Sequence, residues 1–119
     1  MPLTTNQQRV LSTLQQASEP LSAYALLEQL REHGISAPTQ IYRALERLSE
    51  QGLVHRLQSL NAYVSCAHTE QCQHGFTAFA ICDRCGSVDE FVDHDVAHSL
   101  SRWVKSKAFA VRESAIEIR

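Results

Sequence analysis

The cysteines of this chain are confined to one short segment. All four lie between residues 66 and 85, and four of the six histidines lie between residues 55 and 94, whereas residues 1–54 hold no cysteine. Thiolate and imidazole are the side-chain groups that zinc prefers. The chain therefore divides by composition into two small units, joined near residues 59–61, and the potential metal ligands begin where the first unit ends.

The start of the chain predicts two short amphipathic helices. Thr5, followed three residues later by Gln8, forms a capping box at the start of the first helix. Ser22 has the side chain of a helix N-cap, and we expect the second helix to run from there to Gly34.

A third helix is predicted from Pro38 or Thr39 to Gln51, followed by two strand-like runs at residues 53–57 and 62–65. Three helices followed by a hairpin is the order of a winged helix-turn-helix, whose third helix enters the major groove of DNA. The outer face of this helix carries polar side chains with the donor chemistry for bases and phosphates, namely Gln40, Arg43, Arg47 and Gln51. An ordinary solvated helix face carries the same residue types, so the helical pattern alone leaves both interpretations open.

The second half of the chain predicts a small mixed unit. Residues 76–81 and 88–92 are strand-like, residues 95–106 form a helix, and residues 108–111 and 114–118 form a last strand pair or one long strand. The predicted fold class is therefore α+β, with an N-terminal winged helix-turn-helix and a small C-terminal α/β unit.

The most specific chemical motif is Cys82-x2-Cys85 followed by Gly86. Two thiolates at this spacing can hold one tetrahedral zinc ion on a turn, and the site then needs two more ligands. Cys66 and Cys72 could complete it, or they belong elsewhere. A thioredoxin-like redox pair is the rival interpretation, but that motif opens a helix, and a strand-like segment follows here. A disulfide framework is not expected in a cytosolic chain.

A second set of ligands spans the junction of the two units and combines nitrogen, sulfur and oxygen donors: His55, Cys66, His74 and Glu90. A mixed tetrahedron of this kind suits zinc better than magnesium or calcium. Cys66 as a small buried apolar residue is the plainer alternative. Surface positions are expected for the remaining candidate histidines, His33, His68 and His98.

Composition excludes several classes of protein. The net charge is −2, and no apolar run approaches the roughly 20 residues of a membrane span. The N-terminus carries no signal-peptide pattern. We expect a soluble cytoplasmic protein with no membrane partner and no small-molecule substrate. No base or substrate pocket accompanies the cysteines, so an enzyme is not expected, although a thiol redox or peroxide sensor using Cys82 and Cys85 stays open.

Four ordered motifs resemble the ferric uptake regulator (Fur) family of bacterial metal-responsive transcription factors. They are Leu21-Ser22-Ala23-Tyr24, Ala37-Pro38-Thr39-Gln40-Ile41-Tyr42-Arg43-Ala44-Leu45, Gln51-Gly52-Leu53-Val54-His55 and Ile81-Cys82-Asp83-Arg84-Cys85-Gly86. The resemblance implies a winged-helix DNA-binding domain at residues 1–58, a wing end and hinge at 59–65, and a metal-binding dimerisation domain at 66–119. It also implies a homodimer that binds double-stranded operator DNA and represses transcription when metal is bound.

His55 and Tyr63-Val64-Ser65-Cys66 look like the zinc uptake regulator branch of that family. That branch implies a regulatory zinc site made by His55, Cys66, His74 and Glu90, with Cys72 as the substitute for His74. The soft thiolate of Cys66 also favours zinc over iron(II) or manganese, although an iron- or manganese-responsive regulator is the alternative within the family. Cys82 and Cys85 would form half of a structural zinc site.

For DNA binding, the resemblance makes Arg43 the recognition-helix arginine and Tyr24 a base or backbone contact. Tyr42 resembles a phosphate contact, Gln40 an auxiliary one, and Arg47 shares the same stripe. The family has a second Cys-x2-Cys pair after its last strand, whereas this sequence stops at Arg119. We expect either a truncated chain or other partners for the first pair.

Overall fold

The computed structural model describes residues 2–67, 76–111 and 114–119. The chain divides into two compact units, Met1–Cys66 and Ala67–Arg119, and each is described by itself. In the described ranges, no helix has the length and apolar character needed to cross a membrane.

The first unit consists of three helices and a hairpin. Its elements are α1 (Thr5–Gln16), α2 (Ala23–Leu30), a 3-10 turn (Arg31–His33), α3 (Pro38–Glu50), β1 (Val54–Leu57) and β2 (Ala62–Ser65). The two strands pair antiparallel, and Leu21, which precedes α2, forms an isolated antiparallel bridge with Tyr63 of β2. This arrangement confirms the predicted winged helix-turn-helix.

The N-cap of α1 lies one residue earlier than predicted. Thr4, not Thr5, is the N-cap: its side chain accepts a hydrogen bond from the Gln7 amide (3.2 Å), and the Gln7 side chain accepts one from the Thr4 amide (3.1 Å). The sequence offers two overlapping capping boxes, and local spacing cannot choose between them. Leu3, just before the cap, packs against the core, and this contact favours Thr4 over Thr5 as the N-cap.

Helices α2 and α3 begin and end close to their predicted limits. The Ser22 hydroxyl accepts a hydrogen bond from the Ala25 amide at 3.1 Å and so caps α2. The 3-10 turn after α2 stops at Gly34, which adopts a φ of 90° that L-residues with a side chain rarely adopt. Pro38 is the first residue of α3, where its missing N–H costs no helical hydrogen bond.

The core of the first unit lies beneath the inner face of α3. The fully or almost fully buried residues of that face recur at helical spacing: Ile41, Ala44, Leu45 and Leu48. They pack with apolar side chains of the other two helices and the hairpin, including Val10, Leu26, Leu30 and Val54. Because the inner face is committed to the core, the polar face of α3 must point to solvent.

The second unit is a three-stranded sheet with one helix. Its elements are β3 (Ala78–Ile81), β4 (Val88–Phe91), α4 (His94–Ser106) and β5 (Ile116–Ile118). Strand β3 is central, pairing antiparallel with β4 and parallel with β5. Phe79 of β3 is fully buried, whereas α4 buries none of its residues in this unit.

The predicted strand at residues 108–111 is wrong. After α4, the amides of Lys107, Ala108 and Phe109 donate to carbonyls in the last turns of the helix at 3.1–3.2 Å. These amides cap the helix and are not available for a strand ladder. The Phe109 ring instead stacks on Trp103, with ring centroids 6.1 Å apart. Within the described part of the predicted final strands, only Ile116–Ile118 pairs with the sheet.

Candidate nucleic-acid interface and metal centre

The outer face of α3 carries two exposed arginines one helical turn apart. Arg43 and Arg47 are exposed, and the Tyr42 side chain beside them is 49% exposed. Arginine can donate two parallel hydrogen bonds to guanine or to phosphate, and tyrosine adds a hydroxyl donor. The fold thus exposes three of the five predicted DNA-binding residues on one helix.

Arg47 also forms an ion pair on the helix surface. Its Nη1 lies 3.5 Å from Glu50 Oε2, with the two side chains 67% and 57% exposed. An exposed pair at this spacing contributes at most about 0.5 kcal/mol in water. A phosphate can therefore replace the glutamate as the partner of Arg47 at little cost.

The Gln40 side chain performs a task that the sequence did not suggest. Its Oε1 accepts hydrogen bonds from the amides of Ser36 and Ala37, both at 3.1 Å. Ala37 is the N-cap residue of α3 and has no side-chain acceptor of its own. Gln40 therefore fixes the start of the candidate recognition helix in addition to its predicted DNA contact.

Tyr24 lies in the first turn of α2, and 70% of its surface is exposed. The neighbouring Ala23 and Leu26 are buried in the core, and the Ser22 cap fixes the start of the helix. An aromatic side chain this exposed makes no contribution to the core, which is compatible with its predicted role as a DNA contact.

Within the first unit, the hairpin brings two predicted zinc ligands together. His55 of β1 pairs with Val64 of β2, and Cys66 follows the end of β2 with its amide donating to the Leu53 carbonyl at 2.8 Å. A ring nitrogen of His55 and Cys66 Sγ lie within 4.8 Å of one another. Two such atoms bound to one tetrahedral zinc ion are about 3.6 Å apart, so a small side-chain movement lets them share the ion.

Glu90 lies on β4 in the second unit and is half-buried. Its Oε2 accepts a hydrogen bond of 3.0 Å from the amide of Ala67, the first residue of that unit. Ala67 directly follows Cys66 in the sequence. The other predicted ligands of this group, His74 and Cys72, lie outside the described residues.

Cys82 and Cys85 lie on a tight turn between β3 and β4. The Gly86 amide donates to the Cys82 carbonyl at 2.9 Å, the Cys82 amide donates to the Ser87 carbonyl at 3.0 Å, and Gly86 has a φ of 74°. Cys82 is half-buried and Cys85 is exposed. A strand on either side of the pair is the setting of a zinc knuckle and not of a thioredoxin-like helix start.

The environment of Cys85 favours the thiolate that a metal needs. Hydrogen bonds lower the pKa of Cys85 below its ordinary value. The largest contribution comes from the side chain of Ser87, the next from the backbone of Ser87, and a smaller one from the side chain of Cys82. Cys85 Sγ and Ser87 Oγ are 3.1 Å apart. Sequence reasoning missed Ser87, although a hydroxyl two residues after the second cysteine of a knuckle is a signal that could have suggested it.

Comparison with known proteins decides the family. The model of the ferric uptake regulator family matches residues 1–119. The chain belongs to this family. Its members are transcriptional regulators and not enzymes.

Individual relatives show which branch of the Fur family this chain resembles. The zinc uptake regulation protein of Escherichia coli K12 is 40% identical over 116 residues, which are 97% of this chain and 67% of that protein. The crystal structure of holo XcZur matches with a TM-score of 0.85 and 39% identity, covering 99% of this chain and 82% of the other. A zinc uptake regulator complexed with zinc and DNA matches equally well, covering 99% and 79%. These matches confirm the fold class and the resemblance to the zinc uptake regulator branch.

Proposed function

We propose that this chain is a zinc-responsive, DNA-binding transcriptional repressor of the Fur family. It acts as a homodimer on double-stranded operator DNA in the cytoplasm and controls metal-uptake genes. The observation that carries this function is the 40% identity to the Escherichia coli zinc uptake regulation protein over 97% of the chain. The similarity of the fold to a zinc uptake regulator complexed with zinc and DNA supports it.

The DNA-reading surface of the proposal is the outer face of α3 with the start of α2. Arg43 reads a guanine in the major groove, and Arg47 and Tyr42 contact phosphates. Gln40 and Tyr24 add contacts at the ends of this surface. The exposed guanidinium groups and tyrosine rings, together with the commitment of the opposite helix face to the core, support this assignment.

The residues available for a regulatory metal suit zinc. His55, Cys66, His74 and Glu90 are proposed as its ligands, with Cys72 in place of His74 as the alternative. Support comes from the proximity of the His55 ring nitrogen to Cys66 Sγ, and from the hydrogen bond that holds Glu90 to the residue after Cys66. A zinc ion bound by this set would constrain the hairpin that carries His55 and Cys66, and this hairpin directly follows the recognition helix.

Cys82 and Cys85 are proposed as half of a separate structural zinc site. The exposure of Cys85, and the position of both cysteines on a knuckle that ends in glycine, support metal binding over a buried packing role. Arg119 donates to Asp83, between the two cysteines, and so holds the last described strand beside the knuckle.

The test measures DNA binding as a function of buffered free zinc. A DNA duplex, the selected duplex, is first recovered from a random-sequence library by binding to the zinc-loaded protein. We expect the affinity of the protein for this duplex to rise with free zinc as the regulatory site fills. Metal analysis reports the number of zinc ions bound by each chain. Binding promoted by iron(II) or manganese but not by zinc would overturn the zinc assignment. A response to peroxide but to none of the three metals would favour the thiol-sensor alternative.

A further inference from the structure

The side-chain amide of Gln40 uses its oxygen to cap α3, which fixes the orientation of the whole amide group. Its side-chain amide has one oxygen that can accept two hydrogen bonds and one nitrogen that can donate two. Both groups that face the oxygen, the amides of Ser36 and Ala37, are N–H donors. The atom at that position must therefore be oxygen, and the orientation of the amide group is fixed by chemistry.

The amide nitrogen of Gln40 is left for an outside partner. In residues 2–67, 76–111 and 114–119, no acceptor is found for a hydrogen bond from Gln40 Nε2. The side chain is half-exposed and lines an open groove between the start of α1 and the outer face of α3, together with Arg43 and Arg47. The available end of Gln40 thus lies beside the arginines proposed to bind DNA.

This restriction decides what Gln40 can recognise. A glutamine reads adenine by accepting from N6 with its oxygen while donating to N7 with its nitrogen. Two backbone amides already occupy the oxygen of Gln40, so this bidentate contact is excluded. The nitrogen can still donate to guanine O6 or N7, to adenine N7, to thymine O4 or to a phosphate oxygen.

We propose that Gln40 is a specificity-determining residue that caps α3 through Oε1 and donates through Nε2 to a hydrogen-bond acceptor on the DNA. The inference rests on the proposed function, since it needs a chain that binds DNA. The cap fixes the start of the helix that carries Arg43, and the free nitrogen adds a donor three residues before that arginine. A base contact of this kind discriminates against cytosine, whose major-groove edge presents only the N4 donor.

Gln40→Glu separates the two tasks. A glutamate keeps an oxygen that accepts from both backbone amides at the helix N-terminus, where negative charge is favourable. It lacks the donor nitrogen. Gln40→Met removes both functions while keeping a side chain of similar length.

Gln7→Glu provides the matched control. Gln7 holds the same third helical position in α1, its Oε1 accepts from the Thr4 amide, and it lines the same groove. The control therefore introduces the same charge, on the same kind of cap, close to the same helices. Any loss of affinity caused by charge alone should appear in both glutamate variants.

The experiment measures the melting temperature and the affinity of the zinc-loaded protein for the selected duplex and for its single-base-pair variants. For Gln40→Glu we expect an unchanged or raised melting temperature and an affinity loss of about tenfold or more, against about threefold or less for Gln7→Glu. Gln40→Met should lower both quantities. Loss confined to one base pair supports the base contact, whereas equal loss on every duplex indicates a phosphate contact and would overturn the specificity-determining role.

Gln40→Glu with wild-type affinity, or a loss that Gln7→Glu reproduces, would overturn this inference alone. A Gln40→Met variant with the wild-type melting temperature would overturn the capping role. A wild-type chain that binds no duplex would overturn the proposed function, and this inference with it.

Discussion

The guanidinium group of Arg119 donates hydrogen bonds from Nε (3.0 Å) and Nη2 (2.7 Å) to the same oxygen of Asp83, 36 residues earlier in the chain. Asp83 lies between Cys82 and Cys85 on the knuckle, and Arg119 follows β5. This pair therefore connects the edge strand β5 to the turn that presents the two thiols.

Asp83→Ala should loosen β5 without unfolding the second unit. Both partners are substantially exposed, so the pair contributes about 1 kcal/mol or less to the free energy of unfolding. We expect faster hydrogen exchange of the β5 amides, measured on the intact chain, with little change in the melting temperature. Arg84→Ala, on the same turn, is the control, and equal exchange in the two variants would contradict the role of the pair.

Arg43→Ala should weaken DNA binding by about 1–3 kcal/mol and relax the preference for one base pair, since it removes a bidentate guanine contact. Arg47→Ala should weaken binding to all sequences alike and reduce its dependence on salt. Competition titrations against single-base-pair variants of the selected duplex measure both effects. Arg31→Ala removes the same charge from an exposed position outside α3, and a uniform loss for Arg43→Ala would refute the base contact.

The double variant His55→Ala, Cys66→Ser should lose the zinc dependence of DNA binding, because two of the four proposed regulatory ligands are gone. Metal analysis should find about one zinc ion fewer per chain than in the wild-type protein. The control is His98→Ala, which changes an exposed histidine of α4 and should leave the zinc dependence unchanged. If the double variant keeps a zinc-dependent affinity, the role of zinc in this protein is structural only.

Leu48→Ala should lower the free energy of unfolding of the first unit by about 2–5 kcal/mol. The leucine is fully buried on the inner face of α3, and shortening it leaves a cavity. Ser49→Ala, the next residue on the exposed side of the helix, should change this free energy by about 0.5 kcal/mol or less. Denaturant titration followed by helical circular dichroism measures both. Similar midpoints for the two variants would mean that the inner face of α3 is not the core.

Ser22→Ala should cost about 1 kcal/mol of stability, because the Ala25 amide loses the oxygen that accepts from it. Ser18→Ala, in the bend before α2, serves as the control. Thermal unfolding measures the difference. Equal melting temperatures would show that the start of α2 does not depend on this cap.

Local sequence patterns predicted most of the secondary structure. The capping serine at position 22, the proline that opens α3 and the glycine at position 34 each act within a few residues, so their effects can be read directly from the sequence. The prediction of a strand at residues 108–111 was wrong because apolar residues of this kind fit a strand as well as they fit the segment that ends a helix. The amides of Ala108 and Phe109 were taken by the end of α4, a competition that the residue pattern does not reveal.

The candidate sites were predicted less completely, because their supporting contacts depend on the fold. The spacing of Cys82 and Cys85 identifies a possible zinc knuckle, but the approach of Arg119 to that knuckle depends on the parallel pairing of β5 with β3. The capping role of Gln40 likewise depends on the path of the two residues before α3.

The register of the hairpin sets the distance between two of the proposed zinc ligands. His55 is opposite Val64, and Cys66 follows two residues later, so the two proposed ligands keep their spacing only while this pairing holds. A shift of one residue would turn the His55 imidazole to the opposite face of the ribbon. An insertion in the wing tip that shifted this register by one residue would therefore separate His55 from Cys66, while leaving every proposed ligand and every proposed DNA-contacting side chain in the sequence.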